Sequence, residues 1–309
     1  MRSNLLGLLW GLLTIALIAS LGCGSPQYRQ ISLADEQSEE PPAPNRAGAV
    51  PLRIAVAGAL SPRETRRSYQ ELVGYIGEKL GRPAELLQRQ TYAEINDLVR
   101  SGGAELAFVC GGAYIEGEKE FGMELLVAPQ MFGQTTYSSY IIVHRDSNAS
   151  QWEHLRDKTF AFSDPLSNSG RLAPTYALWQ MGQTPESFFR KFVFTYSHDN
   201  SIQAVAEKLV DAAAVDSLVY DYTIARNPQY SAKTRVIDRL GPYGIPPVVV
   251  HPRLSVPLKE QFMAALTGLR RDERGSRILE NLMIDRFVTV DNRAYDSLRD
   301  MAQAVRWQR

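Results

Sequence analysis

Cysteine is nearly absent from this chain of 309 residues, which holds only Cys23 and Cys110. No framework of disulfides can therefore hold the fold, which must rest on burial of apolar surface. Histidine is scarce as well. The four residues at 144, 154, 198 and 251 show no close metal-ligand spacing, so neither a metal nor another cofactor is expected. Net charge is missing altogether, because 34 basic residues balance 34 acidic ones. No basic stripe interleaved with aromatics stands out, which argues against nucleic acid as a partner. Only one long apolar run occurs, Leu5 to Ala19, and it is short for a membrane span. There is no G-x-S-x-G nucleophile elbow and no short-period internal repeat.

What is present begins at the N-terminus. Arg2 precedes the apolar run, and Ser20-Leu21-Gly22-Cys23 follows it, a pattern read as a secretory signal. The Cys directly after Leu-Gly resembles the lipobox of bacterial lipoproteins. That resemblance implies cleavage before Cys23 and a lipid on its sulfur, giving a signal peptide over 1–22 and a lipidated linker over 23–51. The stretch from Gln27 to Val50 carries Glu36, Glu39, Glu40, Pro41, Pro42 and Pro44 and little that is apolar, so it cannot bury enough surface to fold. If Cys23 is lipidated, Cys110 has no disulfide partner in the chain and packs as a small apolar residue.

From Leu52 onward, strand and helix patterns alternate. Leu52–Ala57 is a near-continuous apolar run, followed by a helix over Glu64–Leu80 that Gly81 and Pro83 stop. A strand over 84–88, a helix over 92–100, a strand over 106–110 and a helix to about Glu120 come next, then a strand over 125–129. A second set begins with Tyr140–Val143 and continues through strands at 159–162, 192–195 and 212–215 and helices at 171–181, 201–210 and 218–226. Strands over 236–240 and 247–250 lead back, and helices over 258–269, 276–283 and 295–305 close the chain. This order predicts an α/β fold of two lobes, each a mostly parallel sheet flanked by helices, with a ligand cleft between them. The expected division is 52–136 for lobe one, 137–240 for lobe two and 241–309 for the return to lobe one.

The most informative stretch is Asp164-Pro165-Leu166-Ser167-Asn168-Ser169-Gly170. It lies between a strand and a helix, where free backbone N–H groups and the helix dipole meet small hydroxyl and amide side chains. That combination makes an oxyanion cradle without a metal. The plainer reading is that Ser169 or Asn168 caps the helix. His198, just before a helix, can donate to an oxyanion, and an anion would favour its charged form. Asp216 has two readings: an acceptor for a ligand proton or ammonium group, or a cap for the helix that follows. Arg63 lies after the first strand, where it either neutralises an anion or stays solvated beside Glu64.

With Leu172-Ala173-Pro174 after it, this stretch resembles the D-P-x-S-x-S-G…P segment of phosphonate/phosphite-type substrate-binding proteins of ABC importers. Tyr137-Ser138-Ser139-Tyr140 ahead of Ile141–Ser147, Ser197-His198-Asp199, Ala214-Val215-Asp216-Ser217 and Phe108–Tyr114 resemble further segments of that family, in its order. The resemblance spans roughly Leu52 to Met283 and implies the type II periplasmic-binding-protein fold. It also implies a small phosphorus oxyanion held by Ser167, Asn168 and Ser169, with His198 on the facing turn and Tyr137 across the hinge. Asn168 stands where Thr is more usual, and Cys110 where a polar or aromatic group is common. Whether the ligand carries the family's usual amine-bearing tail stays open.

The expected function is a lipid-anchored, extracytoplasmic and monomeric binding protein, not an enzyme, that hands a phosphonate, phosphite or phosphate to an ABC permease. The same fold in a receptor would signal to a membrane sensor kinase instead. A remote alternative is a serine hydrolase built from Ser167 or Ser169, His198 and Asp216.

Overall fold

The computed structural model describes residues 50–306. The expected signal segment, the lipid site at Cys23 and all but the end of the linker lie outside the described residues.

Lobe one starts with β1 (Leu52–Val56), whose Leu52, Ile54 and Ala55 are fully buried. Helix α1 (Pro62–Lys79) places Pro62 in its first turn, where a missing N–H costs nothing, and ends before Gly81 at φ 66°. After β2 (Ala84–Gln88), helix α2 (Tyr92–Arg100) opens with a reciprocal capping box between Thr91 and Glu94. Then come β3 (Leu106–Phe108), α3 (Gly111–Phe121) and β4 (Glu124–Gln130). The chain crosses to lobe two on β5 (Thr136–His144). There it forms β6 (Thr159–Phe162), α4 (Ala173–Gln180), α5 (Pro185–Phe188), β7 (Lys191–Phe194), α6 (His198–Ala206), β8 (Ala212–Asp216), α7 (Ser217–Arg226) and α8 (Pro228–Lys233). It returns on β9 (Thr234–Gly244) to β10 (Val248–Val250), α9 (Val256–Thr267), α10 (Glu273–Asn281), β11 (Arg286–Val288) and α11 (Asp296–Ala304).

Two sheets result. Six strands lie in the order β11-β4-β10-β3-β1-β2, and five in the order β7-β6-β8-β5-β9. The sheets are mixed rather than mostly parallel. Pairs joined through a helix, β1 with β2 and β3, and β6 with β7 and β8, run parallel. Strands that carry the chain between lobes do not: β5 is antiparallel to β8 and β9, and β10 to β3 and β4. The physical reason is direction of travel. A strand that leaves a lobe and one that returns to it point opposite ways, whereas parallel neighbours need a crossover on the same side. The short edge strand β11 and the helices α5 and α8 carry too few periodic residues to have been read from the sequence.

Apolar packing is continuous across the cleft. Cys110, Tyr114 and Tyr295 share one buried cluster with Tyr137, Leu166 and Leu172 of the other lobe. This cluster lies directly beneath the turn that follows β6. Among the described residues, no helix is long and apolar enough to cross a membrane.

Candidate functional site

Strand β6 is followed by Ser163 and Asp164, both fully buried. The Asp164 carboxylate accepts the Leu166 N–H at 2.8 Å through Oδ1 and the Tyr92 N–H at 3.1 Å through Oδ2. Tyr92 opens α2, so the carboxylate sits where a helix start offers an orphan donor and partial positive charge. It thereby ties the turn of lobe two to a helix of lobe one. Burial nevertheless pushes its pKa up. Ser167 caps the next segment, its Oγ accepting the Gly170 N–H at 3.0 Å, and a π-helical turn over Asn168–Leu172 leads into α4. Gly170 is required sterically. A Cβ there would lie 1.8 Å from Ser163 Oγ and 3.0 Å from His198 Cε1.

The residues expected to hold the oxyanion are together and sealed. Ser167, Asn168 and Ser169 are all fully buried. Asn168 Nδ2 donates to the Tyr137 hydroxyl at 3.0 Å, and its backbone N–H donates to Cys110 Sγ at 3.3 Å. The sulfur of lobe one thus occupies a donor that the cradle reading gives to a ligand. Burial raises the Cys110 pKa, keeping the thiol neutral. The Ser169 carbonyl accepts from Ser139 Oγ at 2.6 Å. Ser169 Oγ forms no hydrogen bond of good geometry, although it lies close enough to the Tyr137 hydroxyl to lower its pKa, and Asn168 Oδ1, Ser163 Oγ and Tyr92 Oη are buried without a partner. Each such group forgoes about 1–3 kcal/mol, and native proteins hold few of them. Asn96 Oδ1 and Thr175 Oγ1 are also unpartnered, so three of the six among the described residues fall within seven residues of one turn, and a fourth belongs to the helix start that Asp164 grips.

His198 donates its backbone N–H to Ala59 of lobe one at 2.9 Å. Its Nδ1 accepts the Asp216 N–H at 3.1 Å, which leaves the ring proton on Nε2. Desolvation lowers its pKa to about 3. Protonating Nδ1 would break this bond, so the ring rests neutral here; the expectation that an anion favours the charged form concerns the bound state. Asp216 caps α7, its Oδ1 accepting from Leu218 N at 2.8 Å and Val219 N at 3.3 Å. Its Oδ2 makes no hydrogen bond, and burial raises its pKa to about 7. The cap is thus real, and it leaves one oxygen for another partner. The arrangement does not form a catalytic triad. His198 bonds the main chain of Asp216 rather than its carboxylate, and neither Ser167 nor Ser169 bonds the ring.

The two lobes close over a cavity of about 130 Å³. Tyr92, Cys110, His198 and Asp216 line its polar end, and Leu60, Phe108, Met131, Ile245, Pro247 and Phe287 contribute to an apolar wall. No Lys or Arg lines it, and Arg63 is exposed, away from the wall. Ser167, Asn168, Ser169 and Tyr137 lie behind the Cys110 side of this surface rather than on it. Further bonds bridge the lobes: Ser61 N to Asp199 Oδ1 at 2.9 Å, Ser68 Oγ to Tyr222 Oη at 2.7 Å and Arg226 Nη2 to Asn281 O at 2.8 Å. Among the described residues, no group of three or more His, Cys, Asp and Glu could hold a metal ion. Sequence reasoning missed Tyr92, Ser163 and the closure role of Asp164. The only available signal was the capping box that marks Tyr92 as a helix start.

Two mixed α/β lobes, linked by strands that cross between them and closed on one cavity, define a type II periplasmic binding protein. Residues 54–295 match the model of a family described as the phosphonate periplasmic substrate-binding proteins of ABC transporters, and the chain belongs to that family. It is 27% identical over 180 residues to the phosphate-import protein PhnD of Mycolicibacterium smegmatis, covering 54% of this chain and 56% of that protein. It is 23% identical over 236 residues to the phosphonates-binding periplasmic protein of Escherichia coli, covering 75% of this chain and 70% of that one. The chain thus spans little more than half the length of the first of these relatives. The structure of PhnD1 from Prochlorococcus marinus in complex with methylphosphonate superposes with a TM-score of 0.75 at 17% identity, over 83% of this chain and 98% of that one.

Proposed function

We propose that this protein binds a small phosphorus oxyanion of the phosphonate, phosphite or phosphate type and delivers it to an ABC permease. It does so outside the cytoplasm, as a monomer tethered by a lipid on Cys23. The observation that carries the reading is the cluster of buried polar atoms without partners at Ser163, Asn168, Ser169 and Tyr92. Hydroxyl donors and the Asn168 N–H, now capped by Cys110, would pair with ligand oxygens once the lobes open and reclose around them. His198 would donate from Nε2, and Asp216 Oδ2 would share a proton with a monoprotonated oxyanion. Family membership and the methylphosphonate held by the Prochlorococcus marinus protein support the ligand class.

The test is calorimetric titration of the protein with methylphosphonate, phosphite and phosphate, with melting temperature alongside. At a hundredfold excess over the dissociation constant, the bound form should gain about 2.7 kcal/mol. Heat with amino acids or sugars and none with any phosphorus oxyanion would overturn the reading.

A further inference from the structure

The two ends of the cavity differ in kind. Its polar end is made by Tyr92, Cys110, His198 and Asp216, beside the buried turn at Asn168–Gly170. From there the space runs along Leu60, Phe108, Met131, Ile245, Pro247 and Phe287. Thr65, Ser68, Tyr69 and Tyr222 add hydroxyl groups to a lining that is otherwise mainly apolar, with no cationic side chain and no carboxylate other than Asp216. Phe108 and Phe287 pack edge to face, with centroids 6.1 Å apart, so the far wall is a preformed aromatic surface.

A ligand that ended at its phosphorus group would leave this wall facing empty or water-filled space. An ammonium-bearing tail would be stripped of water there with one carboxylate in reach, and Asp216 already spends Oδ1 on two helix N–H groups. A compact hydrocarbon fits without such a penalty. The whole cavity, about 130 Å³, is smaller than an apolar cavity of about 150 Å³ that accepts benzene, so a phosphonyl head leaves room for a short tail only.

We infer that the ligand is a phosphonate carrying a short apolar substituent of about two to four carbons, its phosphonyl group at the Tyr92–His198–Asp216 end and its tail along the Phe108–Phe287 wall. This inference rests on the phosphorus-oxyanion reading above and narrows it. Each methylene buried against the wall should tighten binding roughly fourfold until the space is full. Cys110 suits this arrangement, since a neutral thiol at the junction of head and tail presents a soft, weakly polar surface.

The experiment is a calorimetric panel of methyl-, butyl-, phenyl- and 2-aminoethylphosphonate, with pentanoate as an apolar-tailed acid lacking phosphorus. Butylphosphonate should bind at least tenfold tighter than methylphosphonate, phenylphosphonate no tighter than butylphosphonate, and 2-aminoethylphosphonate no tighter than methylphosphonate. Met131→Gln and Leu60→Gln, each with its melting temperature measured, should shrink the butyl-over-methyl ratio severalfold. If methyl- or 2-aminoethylphosphonate binds as tightly as butylphosphonate, the tail assignment is overturned and the oxyanion reading stands. If no phosphonate binds, the tail assignment fails; the oxyanion reading fails with it when phosphite and phosphate, titrated alongside, also give no heat.

Discussion

The two walls of the cleft bury their residues for opposite reasons. Lobe two holds Ser163, Asp164, Asn168 and Ser169 behind the cavity surface, polar side chains with almost no exposure, three of which keep an atom without a partner. Lobe one presents Leu60, Phe108, Met131 and Phe287, which lose nothing by burial. An apolar wall is stable whether or not a ligand is present. A polar wall with missing partners is not, and it gains from any ligand that supplies them. The difference assigns the tasks. On the proposed function, lobe two would select the charged group by hydrogen bonding, and lobe one would select what is attached to it by shape.

The comparison breaks most severely at Gly170. Gly170→Ala puts a methyl group 1.8 Å from Ser163 Oγ and 2.8 Å from Ser163 Cβ, with His198 close behind. The turn must shift, at a cost of about 3 kcal/mol, the upper end for overpacking. Melting temperature should fall and phosphonate binding should vanish. An unperturbed variant would show that the polar wall is not tightly built.

Asp164→Ala should cost somewhat less, about 2 kcal/mol, because it strands the buried N–H groups of Leu166 and Tyr92. It also removes a tie between the lobes. In small-angle scattering, the ligand-free variant should have a larger radius of gyration than the parent. Equal radii would assign closure to the contacts at Asp199, Tyr222 and Arg226 alone.

A smaller and more selective effect concerns pH. Burial raises the Asp216 pKa from 3.8 to about 7, so the folded state holds a proton that the unfolded state has released. That contribution is fully present below pH 3.8 and is lost as pH rises through about 7. His198 works the other way. Its pKa falls from 6.5 to about 3, so its contribution is present above pH 6.5 and is lost as pH falls toward 3. Between about pH 4 and 6.5 the two slopes oppose each other and nearly cancel. Asp216→Asn should expose the rise of stability with pH, and His198→Gln the fall, each by up to about 1.4 kcal/mol per pH unit. Denaturant midpoints from pH 4 to 7 give the measurement. Parallel curves for both variants would mean that neither side chain is buried as described.

Legibility in the sequence followed the distance over which each feature is decided. Alternating strand and helix patterns gave the two-lobed α/β class, because each element carries its own periodicity. The turn at Asp164–Gly170 was visible because strand end, small polar residues and helix start are adjacent in the chain. Sheet direction was not, since it depends on where β5 and β9 travel rather than on their residues. The bond from Asp164 to Tyr92 spans 72 positions, and that from Asn168 to Cys110 spans 58. Neither residue type announces such a partner. The neutral resting state of His198 was not legible for a related reason. It is decided by complete desolvation and by the main chain of Asp216, both products of packing.

The most direct measurement is Ser169→Ala, followed by melting temperature without ligand and by calorimetry with methylphosphonate. Ser169 Oγ forms no hydrogen bond of good geometry in the ligand-free protein, so its removal should leave the melting temperature unchanged or slightly raised. If that hydroxyl awaits a ligand oxygen, affinity should fall by roughly 1.5–3 kcal/mol, more than tenfold. The opposite pattern, a lowered melting temperature with parental affinity, would make Ser169 a structural residue and place the phosphorus group elsewhere.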